Sequence, residues 1–555
     1  MSSFLPRVWS QQQLAYCRHT SASGDTWKYI KSGKTTSAGA AGGTTLIDTG
    51  GDSGAVRTYN GAYWVRCVTG ANAGARRRII DDDGSGTLTF ENNGFDAQVA
   101  SGIEYEILQS PDPVVVVTTS SGETNMVDTS LRSEPNDTWI GYYACPVTGA
   151  RRGKKAKITS FTSATKTFGM DAGLGGALVL GDVVVLRKFI EVSGVQPGLE
   201  QPYIARPANR VNFSMGDGVV GARAGKFGFT TQVRASNGAA ASGSKADANE
   251  AGDLFQGCGL VENVDKTSTV GAGSTTSAIK INTASWENHT VGNMVLWKGN
   301  AAFVTSLEDG VAGVDTINVT PALPVAPTSG ETVEGCRGYH KSITGDVYGV
   351  LLEWEVDGIR TTMTGCKGNV TLQGESELNF AWSFEVSDWI RDDEPAPYVA
   401  GAAYSAAPAI LASERLAYLD TTKTNVGTVT ATPGCKVALK AVQGSIGING
   451  NAGLQVTGFA ERGTWRELVD SATTGLPHEL RWTARTAKDF IVVYGSGANT
   501  CAVRVPVARH VESPHPTEMG GQAGVPGVFE AQDAGTKTDG ASADKKVPDF
   551  AFFLS

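Results

Sequence analysis

Several residue types and patterns are scarce or missing in this 555-residue chain. Charged residues make up only 19%, there are 6 histidines, and the 8 cysteines include no pair two to four residues apart. The cysteine spacing excludes zinc-ribbon and Cys-x-x-Cys motifs, so we expect buried unpaired thiols. No apolar run of 18 residues occurs, and positions 1–6 contain no apolar leader segment. The sequence therefore predicts a protein that is made in the cytoplasm and has no membrane span.

Glycine and proline are abundant by contrast, with 69 and 21 residues, or about one residue in six. Frequent turn residues indicate many short elements, which is typical of β proteins. The hydrophobic share of 41% suffices for packed cores, and the length corresponds to about three to five domains. The net charge of −9 argues against a basic nucleic-acid-binding surface. We therefore expect a mainly β chain of several domains.

A unit of about 75 residues recurs along the chain. The first two copies open on similar strand-like runs at 44–49 and 124–129, and a fainter third copy opens at 281–283. Each copy continues with an aromatic strand around a central glycine and an alternating run after a closing glycine. These glycine pairs, separated by 41, 40 and 38 residues, are Gly61 and Gly102, Gly141 and Gly181, and Gly292 and Gly330. The alternation predicts a small antiparallel barrel or sandwich of about six strands in each copy.

Two features of these units allow more than one interpretation. Basic clusters follow the aromatic strand at 76–78 and 154–157. We expect them to protect solvated edge strands, and the alternative is a contact patch for a polyanion or a host glycan. Six aromatic residues are predicted mainly as core and cross-strand pairs, with sugar stacking as the alternative: Tyr59, Tyr63, Trp64, Trp139, Tyr142 and Tyr143.

The third copy interrupts a different module. Residues 191–266 and 336–395 form one pattern of alternating strands, with a short helix predicted over 245–257 that buries Leu254 and Phe255. Residues 396–555 partly repeat this pattern. There, capping-box spacing from Thr464 predicts a second helix. These observations predict two related folds in one chain, produced by duplication, and the alternative is one elaborated fold.

The order of elements in this module resembles the tail tube proteins of long-tailed bacteriophages. The matching stretches are 253–260, 358–372 and 377–385, and the apolar run at 550–554 is similar to the end of those proteins. The resemblance implies a non-enzymatic virion protein, without cofactor or metal, that assembles into stacked rings around a channel. Its implied partners are further copies of itself in trimeric or hexameric rings, the tape measure, terminator and distal tail proteins, and the DNA that passes through the channel without sequence recognition. No membrane is involved.

The predicted fold class is mainly β: a tail-tube-type β-sandwich or barrel, duplicated and with a short helix in each half, plus three small antiparallel β modules. The predicted parts are an arm at 1–35, β units at 36–110 and 111–190, a tube-like first half at 191–266 plus 336–395, an inserted β unit at 267–335, and a second half at 396–555. The units are expected to decorate the outside of the tube. The alternative function is a receptor- or glycan-binding tail fibre or adhesin built from repeated β modules.

Motifs for catalysis or ion binding are incomplete. Ser53 lies in the tetrapeptide Gly-Asp-Ser-Gly of serine proteases, but no histidine lies in a matching context. The Ser-Gly-Lys-Thr run at 32–35 lacks the first glycine of a phosphate-binding loop. The acidic run at 81–86 lacks the glutamate of a calcium loop and predicts a hairpin turn. His510 and His515 are predicted as surface residues. We therefore predict no enzyme, and no catalytic, cofactor-binding or metal-binding residue.

Overall fold

The computed structural model describes most of the chain. The described residues are 12–18, 27–50, 58–91, 94–119, 122–128, 136, 138–200, 203–204, 219–220, 224–234, 251–282, 288–308, 314–341, 347–356, 358–374, 377–392, 409–413, 415–419, 422–424, 426–441, 451–468, 487–497, 499–511, 517–519, 522–532, 536–539, 542–546 and 549–555. Strands make up 60% and helices 3%, so the prediction of a mainly β fold is confirmed. No helix among the described residues has the length and apolar character needed to cross a membrane.

The first part of the chain contains one separate strand and two six-stranded units. The separate strand is β1 (Gln12–Arg18). Unit one consists of β2 (Lys28–Lys34), β3 (Thr45–Ile47), β4 (Tyr63–Cys67), β5 (Arg76–Asp82), β6 (Thr87–Phe90) and β7 (Glu104–Gln109). Unit two consists of β8 (Val114–Val116), β9 (Asn125–Val127), β10 (Tyr143–Pro146), a 3-10 turn (Gly149–Arg151), β11 (Ala156–Thr162), β12 (Thr167–Met170) and β13 (Val183–Ile190).

The middle of the chain holds a third unit between two sets of other strands. Before it come β14 (Ser193–Glu200), β15 (Tyr203–Ile204), β16 (Val219–Val220), β17 (Ala224–Gln232), helix α1 (Gly252–Gly257) and β18 (Leu260–Val264). Unit three consists of β19 (Ser268–Thr269), β20 (Ala278–Asn282), β21 (Met294–Trp297), β22 (Asn300–Glu308), β23 (Val314–Thr320) and β24 (Thr332–Gly335). After it come β25 (Arg337–Lys341), β26 (Val350–Val356), β27 (Ile359–Gly374), β28 (Leu378–Val386) and β29 (Asp388–Asp392).

The remaining elements are all strands. They are β30 (Arg415–Leu419), β31 (Thr422–Thr424), β32 (Val426–Thr432), β33 (Lys436–Ala441), β34 (Asn451–Gly458), β35 (Arg462–Leu468), β36 (Lys488–Ser496), β37 (Asn499–His510), β38 (Thr517–Met519), β39 (Gln522–Ala531), β40 (Thr536–Asp539), β41 (Ser542–Lys546) and β42 (Ala551–Leu554).

The helix predicted from Thr464 is wrong, because that segment is the strand β35, which is paired on both sides by β32 and β39. Two sheet ladders outweigh a local capping pattern.

The three units share one topology, as the sequence repeat predicts. Numbered within each unit, the strands pair in the order 1-6-3-4-5-2, and all pairs are antiparallel. A register shift interrupts the pairing of strands four and five in every unit. The six repeat glycines all have positive φ, from 76° to 96°. Glycine adopts that conformation without the steric cost that other residues incur, which explains why these positions recur.

Most of the strands outside the units form a second structure, here called the central sheet: β1, β14, β17, β18, β25–β32, β35–β39 and β42. Of the others, β15 with β16 and β33 with β34 form two-stranded sheets, and β40 with β41 joins the sheet of unit three. Neighbouring strands can be followed from β14 through β17, β28, β27, β32, β35, β39, β37, β42 and β25 to β18. The result is a nearly closed, barrel-like sheet. Because β42 lies between β25 and β37, the two predicted halves interlock.

One hydrophobic core fills this sheet and includes residues of both predicted halves. Phe255 of α1 lies at its centre, with ring centroids 4.4 Å from Tyr339, 5.0 Å from Trp382 and 5.7 Å from Phe552. The helix predicted at 245–257 is therefore present over 252–257 with Leu254 and Phe255 buried, while 245–250 lie outside the described residues. The duplication stays a prediction, since the described second half has no matching helix.

Candidate functional site: a buried ionic junction between the units

Unit one, unit two and the central sheet meet at a cluster of buried charged side chains, here called the ionic junction. It consists of Arg76, Arg78, Arg187, Arg360, Glu91, Asp112, Glu353, Asp388 and Asp392. All of these residues except Asp392 are buried. Cations and carboxylates alternate along the cluster, so each charge lies beside a charge of opposite sign.

Arg187 occupies the centre of the ionic junction. It lies on β13, whose eight residues are all buried. Its Nη1 and Nη2 donate to Asp112 Oδ1 and Oδ2 at 2.7 and 2.8 Å. Its Nε and Nη2 donate to Glu353 Oε2 and Oε1 at 2.9 and 3.0 Å. Two bidentate contacts use the planar guanidinium in a way that a lysine could not reproduce. Because Glu353 lies on β26, Arg187 ties unit two to the central sheet.

Unit one joins the same cluster through the arginines of β5. Arg78 donates to Asp112 at 2.8 Å and lies 3.0 Å from Glu91. Glu91 in turn accepts from Arg360 of β27 at 3.4 Å. Arg76 pairs with Asp388 of β29, at the other end of the contact with the central sheet. The ionic junction therefore connects both N-terminal units to the central sheet.

The neighbouring arginines keep the central carboxylates of the ionic junction charged. Burial alone would raise the pKa of Asp112, but the charges of Arg187 and Arg78 hold it well below its usual range. The pKa of Glu353 is lowered by Arg187 in the same way, against the effect of burial. Every carboxylate at the centre accepts hydrogen bonds from a guanidinium. The arrangement is suited to holding three parts of the chain in a fixed relation.

These contacts correct the prediction for the basic cluster at 76–78. Solvated arginines on an edge strand are predicted there, but Arg76 and Arg78 are buried. Residues 76–78 pair with β4, and the pairing with β6 involves only residues 79–82. In the second cluster Lys157 pairs with β10 and the pairing with β12 begins at Ile158, so the edge prediction is not contradicted there. In unit one the arginines serve the ionic junction instead.

A second polar contact ties unit two to helix α1. Asp253 of α1 lies 2.8 Å from Lys188 Nζ on β13 and accepts a hydrogen bond from the Tyr142 hydroxyl at 2.6 Å. All three residues are buried. Burial would raise the pKa of Asp253, but Lys188 and Arg18 lower it. The carboxylate is therefore charged where the helix meets the unit.

The segment 1–35 does not form a separate arm where the structure describes it. Strand β1 pairs along its length with β26 and also with β13, so it continues the central sheet into unit two. Strand β2 belongs to unit one, where it pairs with β7. Unit one therefore begins before residue 36, the predicted boundary. No strand is predicted in this segment from the sequence, because the strands that pair with β1 and β2 lie far along the chain.

Unit three is held to the central sheet mainly by apolar contacts. Met294, Leu296 and Phe303 form one buried cluster with residues of the central sheet that include Ile491 and Phe553. The ring centroids of Phe303 and Phe553 are 5.3 Å apart. Strand β40 adds a parallel bridge to β22. Unit three is therefore packed on the sheet through a buried surface.

Two buried histidines lie where unit three joins the central sheet. His289 Nε2 is 2.8 Å from Ser268 Oγ, and its Nδ1 is 3.9 Å from Asp265. His340, on β25, has no hydrogen-bond partner for either ring nitrogen among the described residues. Burial lowers the pKa of each histidine to about 4. Both imidazoles are therefore neutral at pH 7.

We expect these histidines to make the protein less stable in mild acid. Each folded-state pKa lies below the unfolded value of about 6.5, so the unfolded chain takes up protons first as the pH falls. The stability loss begins near pH 6.5 and is complete below pH 4, at about 2 kcal/mol per histidine by pH 5. Thermal unfolding midpoints at pH 7 and pH 5 measure it. His340→Phe should reduce the difference between the two midpoints, and an unchanged difference would contradict this account.

The motifs for catalysis and ion binding lie only partly within the described residues. Ser53 and His515 lie outside the described residues, and His510 is buried against Trp465 at 4.7 Å between ring centroids, so the surface prediction for His510 is wrong. The acidic run at 81–86 forms the hairpin turn between β5 and β6, which confirms that prediction. There Asp83 Oδ1 accepts from the backbone of Ser85 and Thr87 at 2.8 and 2.9 Å. The run at 32–35 lies on and just after β2.

The aromatic residues of units one and two are mainly structural. Trp64, Trp139 and Tyr142 are buried, with 0% exposure for Trp139. Trp139 and Tyr142 form an edge-to-face pair with ring centroids 5.1 Å apart, and Tyr59 pairs with Tyr63 at 5.4 Å. The predicted core role is confirmed for Trp64, Trp139 and Tyr142, while the members of each ring pair come from one segment of the chain and not from two paired strands. The eight cysteines are unpaired thiols, as expected, and all except Cys435 are buried.

The residues of the ionic junction were missed because their spacing carries no motif. Asp112, Arg187 and Glu353 are separated by 75 and 166 residues. One local signal existed: Arg187 and Lys188 lie within a long apolar run, which is an unfavourable place for charges without partners. Such a pattern predicts buried ion pairs, but it does not identify the carboxylates.

Comparisons with known proteins do not identify a family for this chain. No protein-family model matches the sequence, and no curated protein matches it. Within the described parts of the chain, no group of three or more His, Cys, Asp and Glu side chains is placed to hold a metal ion. The geometry of the molecule itself therefore carries the functional argument.

Proposed function

We propose that this protein is a structural subunit that assembles with copies of itself into stacked rings around a channel, as the tail tube protein of a long-tailed phage virion. The observation that carries this proposal is the nearly closed central sheet. Among the described residues its two terminal strands each have one partner: β14 pairs only with β17, and β18 only with β25. Both edges are therefore available to neighbouring copies.

Sheet edges are a physical reason for self-assembly. An open edge presents unpaired backbone donors and acceptors, which pair readily with another strand. Contacts between two different edges are heterologous, and they generate a closed ring when the rotation between copies completes a circle. Trimeric and hexameric rings are both compatible with this arrangement. The ionic junction supports the proposal, because buried ion pairs hold the units in one arrangement. Every copy then presents the same surfaces to its neighbours.

The rival function, a glycan-binding fibre or adhesin, receives less support. It depends on exposed aromatic residues that stack on sugars. Of the six aromatic residues considered, Trp64, Trp139 and Tyr142 are buried, and the other three, Tyr59, Tyr63 and Tyr143, are partly exposed. Sugar binding by unassembled particles would contradict the assembly proposal.

A charge at the edge strand β18 should weaken assembly. Val261 on β18 is 47% exposed, so Val261→Lys should leave the fold intact while it hinders pairing with another strand. Leu416→Lys is the matched control, because Leu416 is 42% exposed on β30, which already pairs with β31 and β36. Sedimentation velocity over a range of concentrations measures the assembly. Equal assembly of the two variants would exclude β18 from the interface.

A further inference from the structure

Unit two carries an exposed basic loop that unit three lacks. The loop between β10 and β11, together with the start of β11, contains five cations: Arg151, Arg152, Lys154, Lys155 and Lys157. Arg152 and Lys154 are exposed, and the other three are partly exposed. In unit three the same connection is the short turn at Lys298 and Gly299. The repeated topology therefore forms without a basic loop, which is a feature particular to unit two.

An exposed apolar turn lies beside this loop. Val179 and Leu180, in the connection between β12 and β13, are 57% and 53% exposed. Within the described residues they are the only two adjacent large hydrophobic side chains that are both exposed. Unit three has one exposed large hydrophobic residue, Val325, in the same connection, at 63%. An isolated exposed side chain is ordinary, whereas an apolar pair next to a dense group of charges is typical of an interface.

Asp182 fixes the turn against the loop. Its Oδ2 accepts a hydrogen bond from the Val179 backbone at 2.9 Å, and its Oδ1 accepts from Thr148 Oγ1 at 3.5 Å. Thr148 Oγ1 also accepts from the backbone of Val183 at 2.7 Å. On the other side of the loop, the guanidinium of Arg151 lies against Gly176. The apolar turn and the basic loop therefore form one surface held by side-chain contacts, here called the unit-two tip.

We propose that the unit-two tip binds a second copy of this chain, with Val179 and Leu180 at the centre of the contact and the basic loop at its rim. This inference rests on the proposed function and identifies one of its interfaces. The net charge of the chain favours a second copy as the partner. The whole chain carries −9, so the rest of the chain carries −14 when the five cations of the loop are left out. A basic rim on an otherwise acidic protein complements the surface of its own copies, and such complementarity favours correct encounters.

A single-stranded nucleic acid or a glycan fits the same surface less well. Single-stranded nucleic acids and sugars are usually held by exposed aromatic rings beside the cations. In unit two Trp139 and Tyr142 are buried, and Phe189, beneath Lys155 at 5.1 Å, is buried too. The exposed apolar residues at the tip, Val179 and Leu180, are aliphatic, which suits a protein surface.

Two variants and one control test the proposal. Lys154→Glu reverses a charge on the rim, Leu180→Ser removes apolar surface, and Val325→Ser makes a similar change on unit three, which lacks the basic loop. Assembly is followed by sedimentation velocity in 50 and 300 mM salt. We expect Lys154→Glu and Leu180→Ser to raise the concentration for half-assembly by about tenfold or more, and Val325→Ser to match the wild type. Added salt should weaken wild-type assembly.

The outcomes separate this inference from the proposed function. Normal assembly of all three variants would overturn the role of the unit-two tip and leave the proposed function standing. Failure of the wild-type protein to assemble at any concentration would overturn both. Tight binding of a DNA fragment or of heparin, abolished by Lys154→Glu while assembly stays normal, would show that the tip serves a polyanion and not a second copy.

Discussion

Deletion of residues 1–190 is expected to leave a chain that does not fold into a soluble, cooperative unit. The deletion removes β1, which pairs with β26 from Gln12 opposite Val356 to Arg18 opposite Val350. It also removes Arg187 and Arg76, which form ion pairs with Glu353 and Asp388. Breaking a buried ion pair costs about 3–5 kcal/mol, comparable with much of the stability of a typical domain.

This deletion decides between two views of the N-terminal units. If they only decorate the surface, the remaining chain should fold and assemble as before. If they are packed into the subunit, size-exclusion chromatography should show aggregates and circular dichroism should show no sharp thermal transition. Deletion of 27–110 alone, with the ends joined by a flexible linker, is the control. It keeps β1 and the pair between Arg187 and Asp112, so we expect a milder loss.

Arg187→Met is expected to destabilise the protein by about 3–5 kcal/mol, because it leaves Asp112 and Glu353 buried without their bidentate partner. The change keeps the length and apolar character of the side-chain stem and removes only the guanidinium. Lys226→Met is the matched control. The pair of Lys226 with Glu385 spans 3.0 Å, but the lysine side chain is 73% exposed, and exposed pairs contribute about 1 kcal/mol or less.

Thermal unfolding and urea titration of the two variants measure this difference. A large loss of stability for Arg187→Met, with little change for Lys226→Met, would support the ionic junction as the contact that fixes the units. Similar small effects for both would contradict it. Arg187→Lys gives a further comparison, since a lysine cannot form two bidentate contacts, so we expect only partial recovery.

The sequence predicted the repeated parts of the molecule well because their determinants are local. The alternation of side chains and the repeat glycines, such as Gly61 and Gly141, are set by strand geometry and by positive φ within each unit. The mainly β fold class and helix α1 follow from the same kind of signal. The strand at Thr464 shows the limit: its capping pattern favours a helix, but the ladders to β32 and β39 come from residues 30 to 70 positions away.

The ionic junction could not be predicted for a related reason. Arg78 lies in a basic run that has several ordinary explanations, and only the packing of β5 against the central sheet shows which one applies. Asp112 and Glu353 belong to segments that are distant in sequence, so no motif spacing connects them. Long-range ion pairs depend on the tertiary arrangement, which periodicity and composition do not specify.

The most direct test of the central claim is cryo-electron microscopy of the concentrated, purified protein. The proposed function predicts hollow rings or stacks of rings, with a central channel and with three or six copies per ring. Class averages should place the three β units at fixed positions on each subunit. Uniform single particles without rings, at every concentration and salt condition, would contradict the claim, and binding of those particles to glycans would favour the adhesin instead.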